Sequence, residues 1–198
     1  MPKIVNSDEK INFICDRAYE EFIKNGVNSF SLNKFIESLN MSKGQFYHYF
    51  KNKEELIFEV IDRKSEIFFI NAEIRINKAQ TFFEKLLALF SFYLDLSDPE
   101  NKSFDKFMKD TFHIYLNIEN EFIKQKNAEC YDYLFNITNE IFDDMIKKNS
   151  LKETSKEFIP SLIATADGMY LQSMILENYD LKKNLTDYIK MLDELLKK

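Results

Sequence analysis

Residues 31–55 read SLNKFIESLNMSKGQFYHYFKNKEE. Phe35, Ile36 and Leu39 are spaced as one face of a short helix, and Phe46 and Phe50 form a second apolar pair about one helical turn apart. The spacing therefore predicts two short helices, each with one apolar face.

The residues around these helices predict a tight turn and two capped helix starts. Asn40 lies where the chain must reverse, and asparagine tolerates left-handed dihedrals better than other residues with a side chain. Ser42 is placed to cap the second helix, with Gln45 completing a capping box. Asn52 and Glu55 repeat this pattern for a third helix. The stretch is therefore predicted to be a helix-turn-helix, whose second helix can enter the major groove of DNA.

The distribution of charge agrees with a DNA-binding head. The segment 41–53 contains three lysines, one histidine and no acidic residue. Residues 1–53 carry 8 basic against 6 acidic residues, whereas residues 54–198 carry 19 against 27. A basic head on an acidic body suits a protein that approaches phosphates with one end. On charge alone, a solvated lysine face remains an equal alternative.

The same stretch resembles the DNA-binding segment of the TetR (tetracycline-repressor) family of bacterial regulators. The resemblance is carried by Ser-Lys-Gly at 42–44, Phe-Tyr-His-Tyr-Phe at 46–50 and Lys-Glu-Glu-Leu at 53–56. It extends over about residues 7–60. Beyond them it consists of a general helical plan and Ala-Asp-Gly-Met at 166–169.

The resemblance implies a homodimeric, sequence-specific transcriptional regulator, a repressor that a small, largely hydrophobic ligand releases from its operator. It also implies two domains: residues 1–52 would bind DNA, and residues 53–198 would bind the ligand and form the dimer. Two alternatives stay open, a DNA-binding dimer with no ligand and a helical interaction or carrier protein that does not bind DNA. The predicted partners are operator DNA, a second copy of the chain and a hydrophobic or aromatic ligand, with no membrane.

Several side chains of the helix-turn-helix are candidate DNA contacts. Gly44 costs about 1 kcal/mol relative to alanine in a helix, so close approach to DNA would explain it. Gln45 could close the cap or contact an adenine edge, and Tyr49 could be core or a phosphate contact. Lys53 lies at a helix start, where its charge does not help the helix, so a phosphate partner is favoured. The full candidate set is Ser31, Lys34, Ser42, Lys43, Gly44, Gln45, Tyr47, His48, Tyr49 and Lys53.

The rest of the chain predicts an all-α protein of about nine helices. Its 198 residues include only 3 glycines and 3 prolines, and no stretch alternates as a strand would. The first helix should cover about residues 7–25, with a capping box at Asn6 and Glu9 and a stop at Gly26. Its apolar stripe should pack on the two short helices: Ile11, Ile14, Cys15, Ala18 and Phe22.

Later boundaries follow from capping pairs and helix breakers. A long helix is expected from Asn52, ending before Asn77, and another over about residues 81–94. Pro160 would lose a backbone bond inside a helix, so that helix either begins near Phe158 or kinks. The remaining predicted starts are Asp98, Asn120 and Asp180.

Several classes of protein are not favoured. No glycine-rich phosphate loop, Gly-x-Ser-x-Gly elbow or His-Glu-x-x-His pair occurs, so no enzyme activity is predicted. Cys15, Cys130 and two histidines lack metal-binding spacing, so no metal and no cofactor are predicted. The apolar runs are too short to cross a bilayer and the N-terminus lacks the apolar core of a signal peptide, so the cytoplasm is expected.

Two further sets of residues are candidates for sites in the body. Aromatic rings with polar tips are typical of an apolar ligand pocket, although ordinary core packing is the alternative for each of them. The pocket candidates are Tyr93, Phe107, Phe112, His113, Tyr115, Tyr131, Phe135, Tyr170 and Met174. The resemblance implies that the last two helices pair in the dimer, through Ala164, Asp167, Gly168, Leu171, Ile175, Leu185, Tyr188, Leu192 and Leu195.

Overall fold

A computed structural model describes residues 7–117 and 119–198. Within them all regular structure is helical, which confirms the all-α prediction, and one isolated bridge joins Leu151 to Lys197. The elements, in chain order, are α1 Ser7–Asn25, α2 Leu32–Ser38, α3 Lys43–Tyr47, α4 Lys53–Lys78, α5 Phe82–Leu89, α6 Ser91–Leu94, α7 Pro99–Tyr115, α8 Glu121–Lys147, a 3₁₀ helix Glu153–Phe158, α9 Ile159–Ile175 and α10 Leu181–Leu196.

Most predicted helix ends are confirmed. Gly26 ends α1 with a φ of 77°, and its amide donates to the Phe22 carbonyl at 2.9 Å. Thr81 caps α5 with a complete capping box, and the Asp180 side chain accepts from the Lys183 amide at the start of α10. The capping box proposed at Asn6 lies outside the described residues.

Three helix predictions need correction or a choice. Helix α4 continues to Lys78 rather than ending before Asn77, because Ala72 and Ile76 are buried in its last turns. The helix expected over 81–94 divides at Phe90, so the described chain contains ten α-helices instead of nine. Pro160 lies in the first turn of α9, where a backbone N–H has no acceptor within the helix, so proline costs no hydrogen bond there. That helix therefore begins near Phe158 without a kink.

The first compact unit is formed by Met1–Ser65, where described, with Ser103–Asn127. Aromatic packing joins α1 to α7 within it: the ring of Phe107 stacks on Phe22 at 5.4 Å and meets Tyr19 edge-on at 5.7 Å. Cys15 is buried in α1, and burial raises the pKa of its thiol to about 12, as expected for an inert reduced cysteine.

The second unit is formed by Glu66–Lys102 with Ala128–Lys198. Its core includes an edge-to-face pair between Phe82 of α5 and Phe142 of α8, with centroids 4.9 Å apart. The buried ammonium of Lys85 donates to the Ile76 carbonyl at 3.0 Å and lies 3.3 Å from Asp144. The functional division proposed at residue 52 concerns which residues bind DNA and stays a prediction.

Two further findings apply to the described part of the chain. None of its helices combines the length and the apolar character that a membrane span needs. It also contains no group of three or more histidine, cysteine, aspartate or glutamate residues that could hold a metal ion.

Candidate nucleic-acid interface

Helices α2 and α3 are joined by the tight turn that the sequence predicts. Asn40 has a φ of 53°, in the left-handed region. The Met41 amide then donates to the Ile36 carbonyl at 3.3 Å, which closes the end of α2. Phe46 and Phe50 are buried and lie 5.5 Å apart, and so they anchor α3 to the core of the first unit. The helix-turn-helix is thus held by a buried aromatic pair and one asparagine turn.

The predicted capping box of α3 is complete. The Gln45 amide donates to the Ser42 hydroxyl at 3.2 Å, and the Ser42 amide donates to the Gln45 side-chain oxygen at 2.9 Å. Of the two uses considered for Gln45, the cap is therefore the one present without DNA. An adenine contact would require this side chain to leave the cap.

The second predicted capping box is only half formed. The Glu55 amide donates to the Asn52 side-chain oxygen at 2.8 Å. The Glu55 carboxylate accepts from the Lys51 amide at 2.9 Å instead of from the Asn52 amide.

One face of α3 is free of packing contacts with the core. Lys43, Gly44 and His48 are exposed, and Tyr47 keeps 47% of its surface accessible while its ring edge meets Phe46. A Cβ placed on Gly44 would meet no atom within 4 Å, so no packing contact within the chain requires glycine there. Close approach of the backbone to DNA stays the predicted reason for Gly44.

The remaining DNA candidates flank this face. Ser31 and Lys34 are exposed on α2, and the Ser31 side chain makes no cap hydrogen bond although it occupies the cap position. Tyr49 is half-buried beside the His48 ring, which leaves both of its predicted uses open. The DNA-contact roles of all these residues stay predictions.

Lys53 has a second role that sequence reasoning did not find. Its ammonium donates to the Val27 carbonyl at 2.8 Å and to the Phe30 carbonyl at 3.4 Å, and it lies 5.5 Å from the centre of the Phe30 ring. Partial burial lowers the pKa of the Lys53 ammonium. The lysine therefore ties the loop after α1 to the start of α4, which gives it a stabilising role beside the phosphate contact that the sequence favours. An ammonium has three donors, so a phosphate contact remains compatible with these two bonds.

We expect Lys53→Met to lower the free energy of unfolding by about 1 kcal/mol, because two charge-assisted bonds to carbonyls are lost from a partly exposed site. Methionine keeps the length of the apolar stem. Urea denaturation measures the change. Lys51→Met is the matched control, since its side chain is 83% exposed and 4.0 Å from Glu55. Equal stability of the two variants would contradict the anchoring role.

The pocket candidates do not all belong to one unit. Phe107, Phe112, His113 and Tyr115 lie in the first unit. Phe107 is core between α1 and α7 and His113 is exposed, so neither belongs to a body pocket. The ring of Tyr115 stacks on Phe58 and Phe112, and the pocket roles of Tyr115 and Phe112 stay predictions. The candidates in the second unit are Tyr93, Tyr131, Phe135, Tyr170 and Met174.

Two of these remaining candidates are in direct contact, and a third makes a notable hydrogen bond. Tyr93 of α6 stacks on Tyr170 of α9, with centroids 4.7 Å apart. Sequence reasoning missed Phe92, whose ring lies 5.4 Å from Tyr93 and 6.4 Å from Tyr170. The Tyr131 hydroxyl donates to Asp167 at 2.8 Å. Phe135 and Met174 pack against the core of this unit.

The dimer candidates divide by exposure. Leu185 and Leu192 are buried in this chain's own core, which removes them from the proposed interface. The exposed candidates include Leu171, Ile175 and Leu195. Ala164 is also exposed, and Asp167, Gly168 and Tyr188 are half-buried. Sequence reasoning missed Met191, which is exposed between Tyr188 and Leu195 at helical spacing, a signal that could have identified it.

Comparisons with known proteins agree with this geometry. The family described as "Bacterial regulatory proteins, tetR family" matches residues 14–60. A fatty acid metabolism regulator protein of Bacillus subtilis (strain 168) is 26% identical over 140 residues, which are 71% of this chain and 70% of that protein.

Solved structures extend the similarity to nearly the whole chain. A TetR family transcriptional regulator from Cytophaga hutchinsonii has a TM-score of 0.75 at 19% identity, covering 98% of both chains. The transcriptional regulator FadR from Bacillus subtilis, in complex with stearoyl-CoA, has a TM-score of 0.63 at 24% identity and covers 90% of this chain and 95% of its own. The family match falls on α1 to α4, which carry the exposed face of α3, so this part of the chain is a TetR-type DNA-binding segment and the findings support a DNA-binding transcriptional regulator.

Proposed function

We propose that this regulator is a cytoplasmic, homodimeric repressor that a small, largely hydrophobic ligand releases from its operator, and that it has no catalytic activity. The observation that carries the proposal is the exposed face of α3. Its lysine, glycine, tyrosine and histidine are accessible to a partner, whereas Phe46 and Phe50 are buried and hold the helix against the core. Side chains held in this way can enter a major groove without unfolding the head.

Helix α9 supports the dimer. Asp167 is its only charged residue, in a chain that is 30% charged, yet α9 exposes Leu171 and Ile175. Ala164, Gly168, Leu171 and Ile175 recur at the spacing of one helical face. A helix face without charge that exposes large apolar residues is typical of the core of a protein interface. The small residues would let a second helix approach closely.

Helix α10 carries a matching stripe. Tyr188, Met191 and Leu195 recur at helical spacing, and Met191 and Leu195 are more than half exposed. Its charged residues lie outside this stripe, whereas Leu185, Ile189 and Leu192 face the core. We therefore propose that the α9 and α10 stripes of two copies pack in a symmetric dimer, which presents two recognition helices to two half-sites.

The ligand site is proposed in the second unit. The contacts among Phe92, Tyr93 and Tyr170 form an apolar aromatic cluster between α6 and α9. The Bacillus subtilis FadR was solved with stearoyl-CoA, a ligand with a long apolar chain. A ligand with an apolar chain or ring would gain roughly 25 cal/mol for each Å² of apolar area buried. Helix α4 contributes residues to both units and is the proposed link to the head.

A linked titration tests the whole proposal. For a 100-fold loss of operator affinity, the ligand must favour the released state by about 2.7 kcal/mol per dimer. We expect a gel shift with DNA that flanks the protein's own gene. A ligand is then sought by thermal shift, with stearoyl-CoA among the compounds screened. We expect that ligand to bind about 100-fold more weakly when operator is present. Equal ligand affinity in both titrations would support a regulator without an inducer. No gel shift at low salt would support the carrier alternative.

A further inference from the structure

The Asp167 carboxylate is partly removed from water, and few hydrogen-bond donors replace that water. It lies in α9 and is half-buried, and among the described residues its hydrogen bond comes from the Tyr131 hydroxyl of α8 at 2.8 Å. In the same described set, no lysine, arginine or histidine lies within ion-pair distance of it. Burial raises the pKa of the Asp167 carboxyl, and the Tyr131 bond acts in the opposite direction.

This arrangement does not favour stability. Removing a carboxylate from water is costly unless a cation or several donors replace the water. A carboxylate can accept about four hydrogen bonds, and one tyrosine supplies only one of them. Charged groups left in this state occur preferentially at functional sites. Asp167 thus calls for a partner with positive charge.

The aromatic cluster defined above lies next to Asp167. Tyr170 follows Asp167 by three residues and so projects from the same side of α9. Its ring stacks on Tyr93, with an interplanar angle of 29°, and Phe92 lies beside both rings. Aromatic faces attract cations, and quaternary ammonium groups in particular are held by such rings.

We propose that Asp167, Tyr131 and the cluster of Phe92, Tyr93 and Tyr170 form the polar end of the ligand site, and that the ligand carries an amine or quaternary ammonium head on an apolar chain. An anionic head would place like charges together at Asp167. A salt bridge from a second copy would use the same carboxylate, and the dimer-dissociation measurement described below distinguishes it from a ligand contact. The inference deepens the proposed function by naming the class of its ligand.

Three probes with the same alkyl chain separate the head groups: decyltrimethylammonium and decanoate, each below its critical micelle concentration, and decanol below its solubility limit. Binding to the full-length protein is measured by calorimetry. We expect the ammonium to bind at least about tenfold more tightly than the carboxylate, as a charge-assisted contact in a partly buried site gives. Equal affinities, or tighter binding of decanoate, would overturn the proposal.

Asp167→Asn is the informative variant, because it keeps the shape and can still accept from Tyr131. We expect it to weaken decyltrimethylammonium about tenfold while decanol changes less than about twofold. Asp132→Asn, an exposed carboxylate on α8, is the matched control and should change neither. An equal loss for all three probes would indicate damage to the fold and contradict the assignment.

Two further readouts complete the test. We expect the melting temperature of Asp167→Asn without ligand to be higher than that of the native protein, because an uncompensated charge is removed. A shift in dimer dissociation with unchanged ligand selectivity would instead place Asp167 at the interface and overturn the proposal. These measurements need no DNA, so failure of the repressor function would appear separately, in the gel shift.

Discussion

Replacing Ile175 and Leu195 together by aspartate is expected to make the protein a monomer and to weaken operator binding by at least about 100-fold. Each aspartate would place a charge in the proposed apolar interface, where burial without a partner is costly. Loss of the dimer removes the gain from engaging two half-sites at once, which is worth roughly 10² to 10⁴ in affinity. Sedimentation and gel shift measure the two effects.

The fold of each chain should survive this change, because Ile175 and Leu195 are 68% and 51% exposed. The pair Ile70→Asp and Leu116→Asp adds the same charge at apolar positions of similar exposure, 51% and 60%, outside the stripes. We expect that control to remain dimeric and to bind operator. A double mutant at 175 and 195 that stays dimeric at micromolar concentration would show that the interface lies elsewhere.

Enlarging Gly44 is expected to abolish operator binding without weakening the fold. A Cβ at Gly44 meets no atom within 4 Å, and both alanine and leucine favour helix over glycine by about 0.5–1 kcal/mol. On DNA, the added atoms would lie where α3 approaches the groove. We therefore expect operator affinity to fall about tenfold for Gly44→Ala and at least about 100-fold for Gly44→Leu, while the urea midpoint stays equal or rises.

Asn71→Leu is the matched control, because Asn71 is an exposed, uncharged residue of α4 in the second unit. It should change neither DNA binding nor assembly. If Gly44→Leu bound operator as the native protein does, α3 would not approach the groove through its first turn. A lower urea midpoint for the leucine variant would instead point to a packing role for the glycine.

Short-range chemistry explains why the sequence predicts the DNA-binding head in detail. The asparagine turn at Asn40, the capping box of Ser42 with Gln45 and the buried pair of Phe46 and Phe50 each depend on residues within five positions of one another. Such signals are contained in the local sequence, and so the helix-turn-helix and its exposed face could be predicted before any contact was known.

The body could not be predicted to the same depth, because apolar spacing shows that a helix face is buried but not what buries it. Phe107 has the pattern of a pocket residue, yet it packs on Phe22 in the first unit. On α10 the sequence contains two apolar faces, and only the packing shows that Leu192 faces the chain's own core whereas Leu195 is exposed.

The sequence alone therefore determined the helical class, the helix-turn-helix and the residues that can face DNA, since these follow from neighbours along the chain. Only the tertiary structure decided the anchoring of Lys53, whose carbonyl partners lie 23 and 26 positions away, and the pairing of Tyr131 with Asp167 across 36 positions. Contacts between such distant residues depend on how the helices pack, and no local pattern encodes them.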